Sequence, residues 1–185
     1  QSPREISIES LFLAQKAEEQ AIQKDSTRID ISLKLASILL GSGYYEAAGN
    51  LYRKIIETNT NFGLAYSGLG LSLASQGRFG AAQRAYQDAL RRGEQSSLLY
   101  SRLGHSYQAL GHIRENLISA RAAYRAALQL DPKQLDVHFQ WARVEMRLGD
   151  SGRARQLYEE ALELNERDVD ARIELARLYE ETGEN

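Results

Sequence analysis

The chain has 185 residues, a formal net charge of −2, 43% hydrophobic and 26% charged residues, and no cysteine. These proportions suit a folded protein and exclude a disordered one; the missing cysteines exclude disulfides, thiolate nucleophiles and Cys-ligated zinc. No apolar run approaches the roughly 18 residues of a membrane span, so direct membrane insertion is not expected. With no cysteine to report a redox environment, cytoplasm and periplasm both fit.

Only Pro3 and Pro132 interrupt the chain, so almost nothing forbids helix between them. The sequence opens Gln1-Ser2-Pro3-Arg4, without Met or a signal-peptide pattern, as at a processed or trimmed end. Residues 5–24 read as a first helix. After it a pattern recurs: Leu35-Ala36, Leu69-Gly70, Leu103-Gly104, Trp141-Ala142 and Leu175-Ala176, at spacings of 34, 34, 38 and 34 residues. Each pair is followed by a glycine: Gly43, Gly77, Gly111, Gly149 and Gly183. In the same phase come Ala48, Ala82, Ala120 and Ala154, then Tyr52, Tyr86, Tyr124 and Tyr158. Chance does not keep so many columns in register, and a repeat of this length signals a stacked array.

Each column has a physical task. Apolar residues at i, i+3, i+4 and i+7 mark one buried helical face. The recurring Gly or Ala admits a second helix closely, the later Tyr fills the space left, and the turn glycine ends helicity at low cost. Every unit is therefore a helix, a short turn and an antiparallel helix, and units must stack to bury their apolar faces.

These columns resemble the tetratricopeptide repeat. The unit from residue 97 resembles it best, with Tyr100, Leu103, Gly104, Tyr107, Gly111, Ala120, Tyr124, Ala127 and Pro132. The next departs from the pattern, placing His138 at the aromatic position, Trp141 at the Leu position and Glu145 at the Tyr position. The resemblance implies an all-α, right-handed superhelical solenoid of stacked antiparallel helix pairs. The repeats are placed at 29–62, 63–96, 97–134 (with a four-residue insertion) and 135–168. Residues 1–28 are expected to be a cap or the second half of a preceding unit. Residues 169–185 are expected to be a cap or the first helix of a fifth unit, the latter if the chain is an excerpt of a longer protein. The four extra residues between Gly111 and Ala120 add about one helical turn and keep the apolar stripe in phase.

No motif carries catalysis. His105, His112 and His138 never fall three or four apart, so no paired metal site forms, and neither a metal nor a cofactor is expected. Gly68-Leu69-Gly70 lacks the third glycine of a phosphate loop and lies within a helical pattern. No GxSxG occurs. The expectation is a protein that is not an enzyme.

In the family the resemblance points to, first helices line a concave face. Carried over by unit position, that groove holds Leu33, Ser37, Leu40, Leu64, Ser67, Leu71, Ser75, Leu98, Ser101, His105 and Gln108, then Phe139, Arg143, Met146 and Arg147. Ser67 and Gly68 are expected to admit a ligand backbone closely. The positions that grip a terminal carboxylate in co-chaperone members are Leu33, Ser37, Gly68, Leu98 and Arg102, of which only Arg102 is basic, so that clamp is not expected. Phe139, Met146 and the leucines suit an apolar helix or extended segment of another protein, with Arg143 and Arg147 pairing acidic groups. A homo-oligomer formed through the end helices is the alternative, resting on Leu175, Leu178 and Tyr179. Net charge runs from −1 over residues 1–77 to +6 over 78–155 and −7 over 156–185. That basic middle does not make the continuous cationic groove RNA would require, because the first half is lined by leucine and serine; nucleic acid is not an expected partner.

Overall fold

The computed structural model describes residues 29–182. Among these the regular structure is entirely helical: α1 (Ile29–Gly41), α2 (Tyr45–Thr58), α3 (Gly63–Ser75), α4 (Phe79–Arg91), α5 (Ser97–Ala109), α6 (Arg114–Leu130), α7 (Leu135–Leu148), α8 (Ser151–Leu164) and α9 (Val169–Thr182). The helix expected over residues 5–24, and Gly183, lie outside the described residues. Each helix packs on its predecessor and successor, and α1, α3, α5 and α7 also touch in series, so the pairs stack side by side.

Short turns force neighbouring helices antiparallel. Gly43, Gly77 and Gly149 take φ of +84°, +72° and +88°, the left-handed conformation that a side chain would strain. Gly111 does not share this role. It lies in the longer turn 110–113 and has no positive φ; an added Cβ would meet the Gln108 carbonyl and Leu117 side chain at 2.7 Å. Close approach, not handedness, requires glycine there. After it α6 runs for 17 residues, against 13 or 14 in each other described helix, which is the extra turn anticipated from the insertion. Side-chain caps hold several starts: Ser96 accepts from Leu99 N–H, Asp150 from Arg153 N–H and Asp168 from Ala171 N–H.

The core is a succession of clusters. Ala36, Leu39, Ala48, Leu51, Tyr52, Ile55 and Ala65 fill the first, and Leu73, Ala82, Ala85, Tyr86, Ala89, Leu99, Leu103 and Ala123 the second. The third gathers Leu117, Tyr124, Trp141, Leu157, Tyr158 and Leu178 with their small neighbours. Tyrosine-on-glycine contacts set the helix spacing. A Cβ on Gly70 would lie 2.5 Å from the Tyr86 ring, and one on Gly104 2.7 Å from the Tyr124 ring. Polar ties bind the stack as well. Ser97 donates to the Ala127 carbonyl at 2.7 Å, Arg92 to the Thr60 carbonyl at 2.6 Å, and Ser72 to the Tyr45 carbonyl.

Where Glu145 stands in place of the repeat's usual tyrosine, it is only 1% exposed and fully engaged. Arg121 reaches across from α6 with Nε 2.7 Å from Oε1 and a second bond from Nη2 to Oε2, while Trp141 Nε1 donates to Oε1 at 2.5 Å. A bidentate guanidinium and an indole N–H thus stand where the first two units bury Leu39 and Leu73 and the third has Tyr107.

Candidate functional site

First helices α1, α3 and α5 share a face that carries two adjoining hollows. The larger, about 670 Å³, has leucines from all three helices (Leu33, Leu40, Leu64, Leu71 and Leu98) with Lys34 and Ser37 on one side and Glu94, Ser96 and Arg102 on the other. Leu64 and Leu98 stand 56% and 52% exposed, although a leucine normally gains by leaving water. The smaller hollow, about 250 Å³, adjoins it through Leu71 and Arg102 and is completed by Ala74, Tyr86, Ser101, His105, Tyr124, Asp136 and Gln140.

The electrostatics centre on Arg102. Burial pushes the Glu94 carboxyl above its ordinary range; a hydrogen bond from Ser67, the Arg102 charge and a hydrogen bond from Ser96 pull it back. Burial likewise raises Tyr52 and Tyr86, with Arg102 again opposing. Among the described residues, Glu94 Oε2 and Tyr86 Oη are buried without a hydrogen-bond partner, and both residues line this face.

The residues singled out from sequence fall into three groups. Leu33, Ser37, Leu64, Leu71, Ser101 and His105 line the two hollows, and the His105 ring stands edge-on to Phe79 at 6.1 Å. Ser75 and Arg143 are exposed but line neither hollow. Leu40, Ser67 and Leu98 line the larger hollow too, and Ser67 and the remaining residues also make contacts within the protein. Ser67 is 4% exposed and bonded to Glu94, and a Cβ on Gly68 would run into the Tyr52 ring. Gly68 is bare to make room for the preceding unit's tyrosine, and it also lines the larger hollow. Gln108 accepts from the Tyr124 hydroxyl at 2.5 Å and donates to Gln140 at 3.3 Å. Phe139 packs edge-on against Tyr158, ring centroids 5.5 Å apart, and Met146 packs against the third cluster. Arg147 donates to the Gly111 carbonyl at 2.6 Å and the Gln108 carbonyl at 3.3 Å, closing the end of α5 while the residue stays exposed.

At the last helix Leu178 is 2% exposed within the third cluster and Leu175 is partly buried against it, while the Tyr179 hydroxyl donates to Glu159 at 3.2 Å. The apolar surface of α9 left in solvent is Val169 and Ile173, 64% and 45% exposed, which sequence reasoning did not single out. It also missed Glu94 and Tyr86. The signal for Tyr86 was the column one turn beyond the small residue, where Gln108 corresponds to Ala74. Glu94, on an irregular connection, left no periodic trace. No group of three His, Asp or Glu able to hold a metal occurs among the described residues, and none of their helices is long and apolar enough to cross a membrane.

Comparison with known proteins agrees with this architecture. Tetratricopeptide-repeat family models match residues 135–178 and residues 33–97 and 67–134. Among solved structures, YrrB, described as a TPR protein with an unusual peptide-binding site, aligns with a TM-score of 0.78 at 20% identity over 90% of this chain and 84% of its own. TTC0263, a thermophilic TPR protein of Thermus thermophilus, aligns at 0.64 and 20% identity, covering 92% of this chain and 91% of its own. MamA from Desulfovibrio magneticus RS-1 aligns at 0.71 and 18% identity, covering 86% and 88%. No curated protein sequence matches the chain significantly. Repeat columns, helix-pair stacking and family matches spanning residues 33–178 together establish that the chain belongs to the tetratricopeptide repeat family.

Proposed function

We propose that the protein is a non-enzymatic scaffold that takes up a segment of another protein along the face formed by α1, α3, α5 and α7. The observation that carries this reading is the pair of adjoining hollows, with Leu64 and Leu98 more than half exposed beside buried polar atoms that lack partners. A monomer gains nothing by such an arrangement, whereas a bound segment would cover the leucines and meet the polar atoms. YrrB, of the same fold, is described as having a peptide-binding site, which supports the reading by analogy. The units of 29–62, 63–96, 97–134 and 135–168 supply successive first helices to this face. One segment there buries less than the ~1,600 Å² of a standard interface, so micromolar affinity is expected.

The test is capture from the source lysate by the wild type and by a Leu64→Glu, Leu98→Glu variant. Both substitutions fall on exposed side chains and should leave the fold intact by circular dichroism. A protein held by the wild type and lost by the folded variant supports the groove; equal retention refutes it. Self-association is a second reading, favoured by exposed Val169 and Ile173 on α9. Light scattering of the wild type and Ile173→Glu decides it: a wild-type monomer sinks the idea.

A further inference from the structure

The repeat allows one unit to be read against the next. In the pair α5–α6 the Tyr124 ring lies on Gly104, and its hydroxyl, one helical turn further along α5, donates to Gln108 Oε1 at 2.5 Å. In the pair α3–α4 the Tyr86 ring lies on Gly70 in the same way, but the position one turn further along α3 is Ala74. Alanine offers no acceptor. Tyr86 is 0% exposed, and its hydroxyl has no partner among the described residues. A buried polar group left unmatched is costly, and native proteins seldom keep one without a reason. Both Ala74 and Tyr86 line the hollow of about 250 Å³, so the hollow borders the position that Gln108 holds in the next unit.

We propose that this hollow is a subsite for a carboxamide side chain, a glutamine of the bound segment, whose oxygen accepts from the Tyr86 hydroxyl as Gln108 accepts from Tyr124. The inference deepens the groove reading and rests on it. The other groups lining the hollow suit a carboxamide. The Arg102 guanidinium is a second donor for the incoming oxygen, while the Asp136 carboxylate and the Gln140 side-chain oxygen are acceptors for its NH₂. A carboxylate would bring like charge towards Asp136. A hydrocarbon would leave the Tyr86 hydroxyl as unmatched as it is now.

The test is an NMR titration of the 15N-labelled protein with N-acetylglutamine amide and, separately, N-acetylglutamate amide. The wild type should show saturable shifts at Leu71, Ala74 and Ser101 with the glutamine compound and weaker ones with the glutamate compound. Tyr86→Phe removes the hydroxyl and should weaken the glutamine response about fivefold, the effect of one hydrogen bond. Ala74→Gln supplies the carboxamide from within, and should raise the melting temperature and abolish the response. A stronger glutamate response would make the hollow an anion subsite and overturn the proposal. Absence of any saturable shift in the wild type, an unchanged response in Tyr86→Phe, or a lowered melting temperature in Ala74→Gln would also overturn it. If the amide response fails while the Leu64→Glu, Leu98→Glu variant still loses its captured partner, the subsite falls and the groove reading stands.

Discussion

Removing the Arg121 guanidinium should destabilise the protein more than removing both ends of its ion pair. In Arg121→Ala the Glu145 carboxylate, 1% exposed, keeps only the Trp141 indole N–H out of three contacts. Stripping one partner from a buried pair costs about 3–5 kcal/mol. The Arg121 side chain is 39% exposed, so solvent already screens part of the attraction, and about 2–3 kcal/mol is the expected loss. Adding Glu145→Leu removes the stranded carboxylate and fills its volume with hydrocarbon. The remaining penalty is the indole N–H, about 1–2 kcal/mol. The double variant should thus be more stable than Arg121→Ala by about 1 kcal/mol. Urea unfolding followed by fluorescence reads this directly, because Trp141 is the only tryptophan and is 7% exposed. Circular dichroism in parallel shows whether the remaining repeats unfold with that joint. An Arg121→Ala loss below about 0.5 kcal/mol, or a double variant weaker than the single, would refute the reasoning.

Gly104→Ala places a Cβ 2.7 Å from the Tyr124 ring and should cost about 1–3 kcal/mol, while Gly80→Ala, with nothing within 4 Å of its Cβ, should gain about 0.5 kcal/mol; melting temperatures of opposite sign check the pair. Arg147→Ala frees the Gly111 and Gln108 carbonyls and should cost about 1 kcal/mol, whereas Arg143→Ala, exposed and outside both hollows, should stay within about 0.5 kcal/mol by urea titration. Burial raises the Tyr86 and Tyr124 hydroxyls, and raises Tyr158 to about 12 with help from Glu174 against Arg143. The folded state therefore holds these protons more tightly than the unfolded one. The stabilisation is complete below the unfolded value near 10 and is lost as pH rises through the folded values, at up to ~1.4 kcal/mol per pH unit for each tyrosine. Absorbance at 295 nm should show these tyrosinates appearing with loss of helix, not before it.

Helix pairing was legible in the sequence because it depends on columns of small and aromatic residues, and Gly70 and Gly104 do receive the tyrosine rings the spacing implied. Periodicity cannot separate two reasons for a small residue on a first helix. Gly68 faces the larger hollow and also accommodates Tyr52, a neighbour in the preceding unit that the columns of its own unit do not show. Nor does a sequence show that the carbonyls at the end of α5 lie within reach of Arg147. The contacts of Ser67 and Gln108 are hidden for the same reason: their partners, Glu94 and Tyr124, are set by three-dimensional stacking. Glu145 stood out as a departure from the repeat, but its meaning required Arg121, which is 24 residues away.

Arrays of similar units carry a hazard that ordinary domains lack, because one helix pair can dock in the berth meant for another. The joint between α6 and α7 is marked against such an exchange. Its longer helix, the Arg121–Glu145–Trp141 contact and the Arg147 closure of α5 recur at no other joint among the described residues. A misplaced pair there would strand Glu145 away from its guanidinium, while a misplacement among the tyrosine–glycine joints would cost far less.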